Sequence, residues 1–153
     1  MKLLFDIETN DLLRKVSVVH CICTMDADTG AERSFYGDTI KDGLALLGSA
    51  EQLIGHNIVK YDLPVLKKLY GFNYGGQVYD TFLAAKLAYP DIASTDIVAV
   101  RRGLLPGNLC GKHSLKAWGH RLGLLKGTYA ETTDWKTFNL DMLQYCTQDV
   151  RVD

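Results

Sequence analysis

Apolar and polar positions along the first third of the chain follow a strand-like rhythm. Lys2 to Ile7 reads as a strand, and "VSVVHCICTM" (Val16 to Met25) as a second, β-branched and apolar. "DADTG" supplies turn chemistry, and Ala31 to Tyr36 returns as a third strand, giving an antiparallel start. Thr39 to Leu47 predicts a short helix and Glu51 to Asn57 a buried strand. Tyr61 to Tyr70 is helical, with Pro64 tolerated only in the first turn and Gly71 ending it. Gln77 to Tyr79 is a short strand, and Asp80-Thr81 caps a helix over Phe82 to Tyr89. Asp91 to Lys112 contains "RRGLLPGNLCGK" and reads as loop. Ser114 to Leu122 and Leu140 to Val150 are helices. Strands first, then strands alternating with helices, predict an α/β domain in which helices cover a mixed sheet.

Composition narrows this picture. The 153 residues suffice for one domain with a real core, and 47% apolar with 23% charged residues is ordinary for a globular protein. No apolar run approaches the roughly 18 to 20 residues that span a membrane. Met1-Lys2-Leu3-Leu4 meets Asp6 at once, so a secretory h-region is not expected. Cys21, Cys23, Cys110 and Cys146 have the spacing of neither a zinc site nor a disulfide framework. They read as reduced core thiols of a cytoplasmic protein.

A net charge of −1 argues against a basic nucleic-acid binder, but the charges are unevenly spread. Ile97 to Ala130 holds no acid, yet carries Arg101, Arg102, Lys112, Lys116, Arg121 and Lys126, with His113 and His120. The segment suits a phosphate backbone. It suits equally a solvated face whose acids lie elsewhere.

The candidate chemistry lies in the acids. Asp6 and Glu8 are two apart on a strand, so they share one face, about 6 to 7 Å apart along the chain. Ile7 then faces the core. Two such carboxylates repel and raise each other's pKa, and a hard cation relieves this. Alone, the pair also reads as two acids at an exposed strand end. Asp62, in "HNIVKYDLPVL", follows a second buried strand, where a helix cap or first-turn acid is the plain alternative. Tyr145 and Asp149, in "QYCTQDV", lie one helical turn apart on one face. Leu143, Cys146 and Val150 form the adjoining apolar stripe, so a half-exposed helix face is the alternative there. Asp80 reads as an N-cap, His56 and His113 as structural, and Trp118 as core.

The ordered set "FDIET", "HNIVKYD" and "YCTQD" resembles the three exonuclease motifs of the DEDD superfamily, in the subgroup with a motif tyrosine. "LPGNLCGKHSLKAWGHRLGLLKGTY" is similar to the segment before the third motif in the proofreading domain of phage-type family A DNA polymerases. Asn57 stands five residues before Asp62, a spacing that looks like the phage branch. The resemblance spans nearly the whole chain and implies a ribonuclease H-like fold with a mixed five-stranded sheet. It implies 3′→5′ hydrolysis of single-stranded DNA ends with two divalent cations, Mg²⁺ or Mn²⁺. In that scheme Asp6 bridges both ions, Glu8 and Asp149 complete the first, Asp62 holds the second, and Tyr145 orients the attacking water. Thr9 would meet the terminal nucleotide, Leu12 would wedge against its base, and Asn57 would touch the strand. Turn residue, core residue and strand-end cap are their respective alternatives. Lys112, Lys116 and Arg121 would belong to the DNA track.

Residues 1–153 are thus expected to form one exonuclease domain at the start of a longer polymerase, acting in the bacterial host cytoplasm if phage-encoded. Two other readings remain open. One is a free-standing exonuclease for RNA or short oligonucleotides. The other is a non-catalytic nucleic-acid-binding module, which the complete set of acids disfavours.

Overall fold

A computed structural model describes residues 1–124 and 134–153. Five strands form one mixed sheet: β1 (Lys2–Thr9), β2 (Val19–Asp26), β3 (Glu32–Tyr36), β4 (Gln52–Gly55) and β5 (Gln77–Asp80). Their spatial order is β3-β2-β1-β4-β5. β2 is antiparallel to β1 and β3, whereas β4 is parallel to β1 and β5. Six helices are described: α1 (Ile40–Ser49), α2 (Asp62–Tyr70), α3 (Thr81–Ala88), α4 (Ile92–Arg101), α5 (Leu115–Leu122) and α6 (Leu140–Val152). The expected α/β, ribonuclease H-like fold is the one observed.

The alternation of β1 divides the interior. Leu3, Phe5 and Ile7 face one side and pack with Ile22, Leu47, Leu53, Ile58, Val65 and Leu66 under α1 and α2. Leu4 faces the other side, with Cys21, Cys23, Cys146 and Val150 under α6. Burying each large side chain contributes about 1.5 to 3 kcal/mol, so this first cluster anchors the domain. β4 reaches β1 closely only because residue 55 is glycine: a Cβ there would stand 2.6 Å from the Phe5 carbonyl oxygen. Gly71 ends α2 in the left-handed region at φ +65°, as its place in the sequence predicts.

Two elements differ from expectation. Asp91 to Lys112 is not all loop, because Ile92–Arg101 is helical. Its β-branched residues obscure the helical signal, and tertiary contacts supply the missing stability. Ala99 and Val100 pack against Leu105, Leu109 and Ala117, and Asp96 pairs with Arg121. The second strand begins at Val19 rather than Val16. The Asn10 carboxamide oxygen accepts the backbone N–H groups of Ser17 and Val18 and holds that stretch as a loop. Lys126 and the last residues of the "LPGNLCGKHSLKAWGHRLGLLKGTY" segment lie outside the described residues. No helix among the described residues is long and apolar enough to cross a membrane.

Candidate active site

The acids converge at one end of the sheet. Across the antiparallel ladder Asp6 faces Cys23 and Glu8 faces Cys21, which puts both acids on the α6 side of β1. A register irregularity follows between Glu8 and Thr9, so the strand bends as it leaves the pair. Asp62 is the first residue of α2, and Asp149 lies on the inner face of α6, both buried. Glu8 is nearly buried at 9% exposure. Asp6 is packed closely enough to feel Glu8, Asp62 and Asp149.

The electrostatics follow from that crowding. Burial first, then Glu8, Asp62 and Asp149, push the Asp6 carboxyl well above the usual carboxylate range. Burial raises Asp62 to about 7, against backbone hydrogen bonds at Asp62 itself and Ile7. Burial, then Asp149, Glu8 and Asp6, pushes the Tyr145 phenol upward. Tyr145 therefore stays protonated at neutral pH and faces the acids as a donor. Its ring meets Trp135 edge-on, with centroids 6.1 Å apart.

The residues expected to touch substrate fall into separate places. Thr9, Leu12 and Glu8 line a cleft of about 360 Å³ with Tyr61 and Trp135. The Thr9 and Tyr61 hydroxyls hydrogen-bond to each other, and both lie against the Asp11 carbonyl. Leu12 is 75% exposed, so it is not a core residue. Asn57 adopts φ +64° in the turn between β4 and α2, a conformation asparagine tolerates better than most residues. Lys112 and Lys116 are exposed. Arg121 departs from expectation: its guanidinium pairs with both Asp96 oxygens at 3.0 and 2.7 Å and lies over the Trp118 ring. Its carboxylate partner holds it in the α4–α5 contact, where the side chain is only 12% exposed. Trp118 is half-buried between Tyr89 and His113 rather than fully in the core.

No protein-family model matches the chain. The DNA-directed DNA polymerases of Enterobacteria phage T3 and Escherichia phage T7 are each 32% identical over 176 aligned residues, covering 98% and 96% of this chain. The chain spans about a quarter of their length, 25% in each case. Among solved structures, Brucella melitensis NrnC bound to pGG superposes with a TM-score of 0.64 at 18% identity, over 99% of this chain and 69% of that one. E. coli Exonuclease I in complex with an oligonucleotide gives 0.62 at 14% identity, over 99% and 38%. The chain is thus similar along nearly its whole length to one quarter of each phage polymerase, and it shares its fold with both nucleases.

In this domain the acids suit hard divalent cations. Asp62 Oδ1 is buried and has no hydrogen-bond partner among the described residues. Oxygens of Asp6 and Glu8 lie within 4.8 Å of each other and of Cys146 Sγ. Carboxylates in such an array need positive charge between them, and oxygen-seeking cations supply it.

Several positioning residues escaped the sequence reading. Asp80 caps α3 as expected, accepting from the Leu83 N–H at 3.2 Å. It also accepts from the Asn57 and Val59 N–H groups, which fixes the turn ahead of Asp62. The Asp153 side chain is buried, accepts from the Thr81 hydroxyl at 2.8 Å and lies 3.9 Å from His56 Nδ1. Its charge raises both Asp6 and Asp62. Asp153 carries no motif signal, so only the fold places it near the site.

Proposed function

We propose that this domain is a 3′→5′ exonuclease that removes nucleotides from single-stranded DNA ends with two divalent cations, Mg²⁺ or Mn²⁺. The observation that carries the reading is the convergence of Asp6 and Glu8 from β1, Asp62 from α2, and Tyr145 and Asp149 from α6. The Mg²⁺-bound form of NrnC and the oligonucleotide complex of Exonuclease I, which share the fold, support the choice of ligands.

Asp6, Glu8, Asp62 and Asp149 would hold the cations. When bound, these neutralise the phosphate, activate water and stabilise the leaving 3′ oxygen. The Tyr145 hydroxyl, kept protonated by its surroundings, would donate a hydrogen bond that aligns the attacking water. Thr9 and exposed Leu12, in the cleft beside Glu8, would seat the terminal nucleotide, a sequence-tolerant contact of the kind an exonuclease needs. Asn57 would touch the strand from the turn before Asp62. Lys112 and Lys116 would follow the phosphates. The relation to a quarter of each phage polymerase supports a proofreading role beside a polymerase domain in the natural chain.

Oligonucleotides labelled at the 5′ or the 3′ end, in matched DNA and RNA versions, test polarity and substrate together. A 5′-labelled DNA strand should shorten stepwise with Mg²⁺ or Mn²⁺, and faster than RNA. Digestion from the 5′ end, or a preference for RNA, would overturn the reading; the latter would favour an oligoribonuclease.

A further inference from the structure

Beside the carboxylates lies a second cluster of donor atoms with opposite chemical taste. Cys21 and Cys23 are two apart on β2 and share one face. The ladder sets Cys23 opposite Asp6 and Cys21 opposite Glu8, so the thiols lie on the carboxylate side. α6 covers that face and delivers Cys146. The three thiols are at most 1% exposed, and their Sγ atoms all lie within 4.8 Å of one another. All are free thiols. Cys146 belongs to both clusters, its Sγ also lying within 4.8 Å of oxygens of Asp6 and Glu8, and it contacts the Asp6 carbonyl at 3.4 Å.

Sulfur ligands at about 2.3 Å from a zinc-sized ion stand about 3.8 to 4.0 Å apart. The triad, with every Sγ within 4.8 Å of the other two, is close to that spacing. Thiolates select Zn²⁺, Cd²⁺ and Cu⁺, whereas carboxylates select Mg²⁺ and Mn²⁺. We infer that Cys21, Cys23 and Cys146 form a binding site for one thiophilic cation, sharing Cys146 with the wall of the carboxylate site. Each thiol that binds gives its proton to solvent in exchange for the cation, with no change of oxidation state. The approach runs through the carboxylates, since Cys146 borders them. An ion held there draws Cys146 from the Asp6 carbonyl and sets a positive charge beside Asp6 and Glu8. Soft cations are therefore inhibitors of the nuclease, a consequence that rests on the function proposed above; the binding itself does not.

Cd²⁺ alone, added to the reduced protein, reads the binding directly. The sulfur-to-cadmium charge-transfer band should saturate at one ion per chain, and ¹¹³Cd resonance should fall in the sulfur-ligated range. Cys110→Ser should keep the band, while Cys146→Ser and Cys23→Ser should each weaken binding at least tenfold. No band, or a resonance in the oxygen-ligated range, would overturn the site, and this needs no variant to fold. A band lost with Cys110→Ser would overturn it too. If nuclease activity is present, Cd²⁺ should suppress it at fixed Mg²⁺; sulfur-bound Cd²⁺ with undiminished activity would overturn the inhibitory consequence. Sulfur-bound Cd²⁺ in a protein that never cleaves DNA would sink the nuclease reading and leave the site standing.

Discussion

The Asp80 carboxylate accepts a 3.0 Å hydrogen bond from the backbone N–H of Asn57, twenty-three residues earlier in the chain. Its other oxygen accepts from the Val59 N–H at 3.1 Å. One buried side chain thus caps α3 and holds the turn that presents Asp62. Asp80→Ala strands these donors and should cost about 1 to 3 kcal/mol in urea denaturation. It should also lower nuclease turnover through the displaced turn, whereas Asp80→Asn should retain more of both. Equal stability of Asp80→Ala and wild type would contradict the assignment.

Acid and metal should oppose one another. Asp62 titrates near pH 7 in the fold and near pH 4 in an unfolded chain. Between those values the folded state holds the extra proton, so without metal the stability should fall as pH rises from about 4 to about 7. The Asp62 contribution is at most roughly 4 kcal/mol. The crowded Asp6 carboxyl acts in the same direction. Saturating Mg²⁺ favours the ionised forms and should recover stability at neutral pH. Thermal melts across pH, with EDTA and with Mg²⁺, check this; a metal-free protein that gains stability over that range would contradict it.

Tyr145→Phe removes a hydroxyl and leaves the ring against Trp135. Turnover should fall on the order of 100-fold, the usual cost of losing one aligned donor. Melting temperature should stay near wild type. Because the phenol titrates far above neutrality, no Tyr145 ionisation should appear in the rate profile up to about pH 9.

Arg121 and Lys116 share helix α5 but have different work. Arg121→Ala leaves Asp96 buried without its partner and should cost about 3 to 5 kcal/mol. Lys116→Ala should lower the salt slope of DNA binding by about 1. Unfolding curves and salt titrations separate the two effects.

Much of this was legible in the chain itself. The period of β1 set Asp6 and Glu8 apart from Ile7, and helical spacing put Tyr145 over Asp149. Gly71 marked the end of α2. What escaped were relations between distant residues. No local pattern joins Asp96 to Arg121, so α4 read as loop and Arg121 as part of the DNA track. The three thiols looked like core residues because only the β1–β2 register and the placement of α6 bring them together. Asp153 carries no motif, and its influence on Asp6 and Asp62 is that of a nearby negative charge, which only the fold brings close.

The most direct measurement compares wild type and Asp6→Ala on a 5′-labelled single-stranded oligonucleotide across a Mg²⁺ titration, with DNA binding recorded in parallel. The wild type should shorten the strand stepwise and only with metal. Asp6→Ala should bind the strand but leave it at full length. A folded wild type that never shortens the strand at any metal concentration would contradict the proposed function, as would shortening by Asp6→Ala at the wild-type rate.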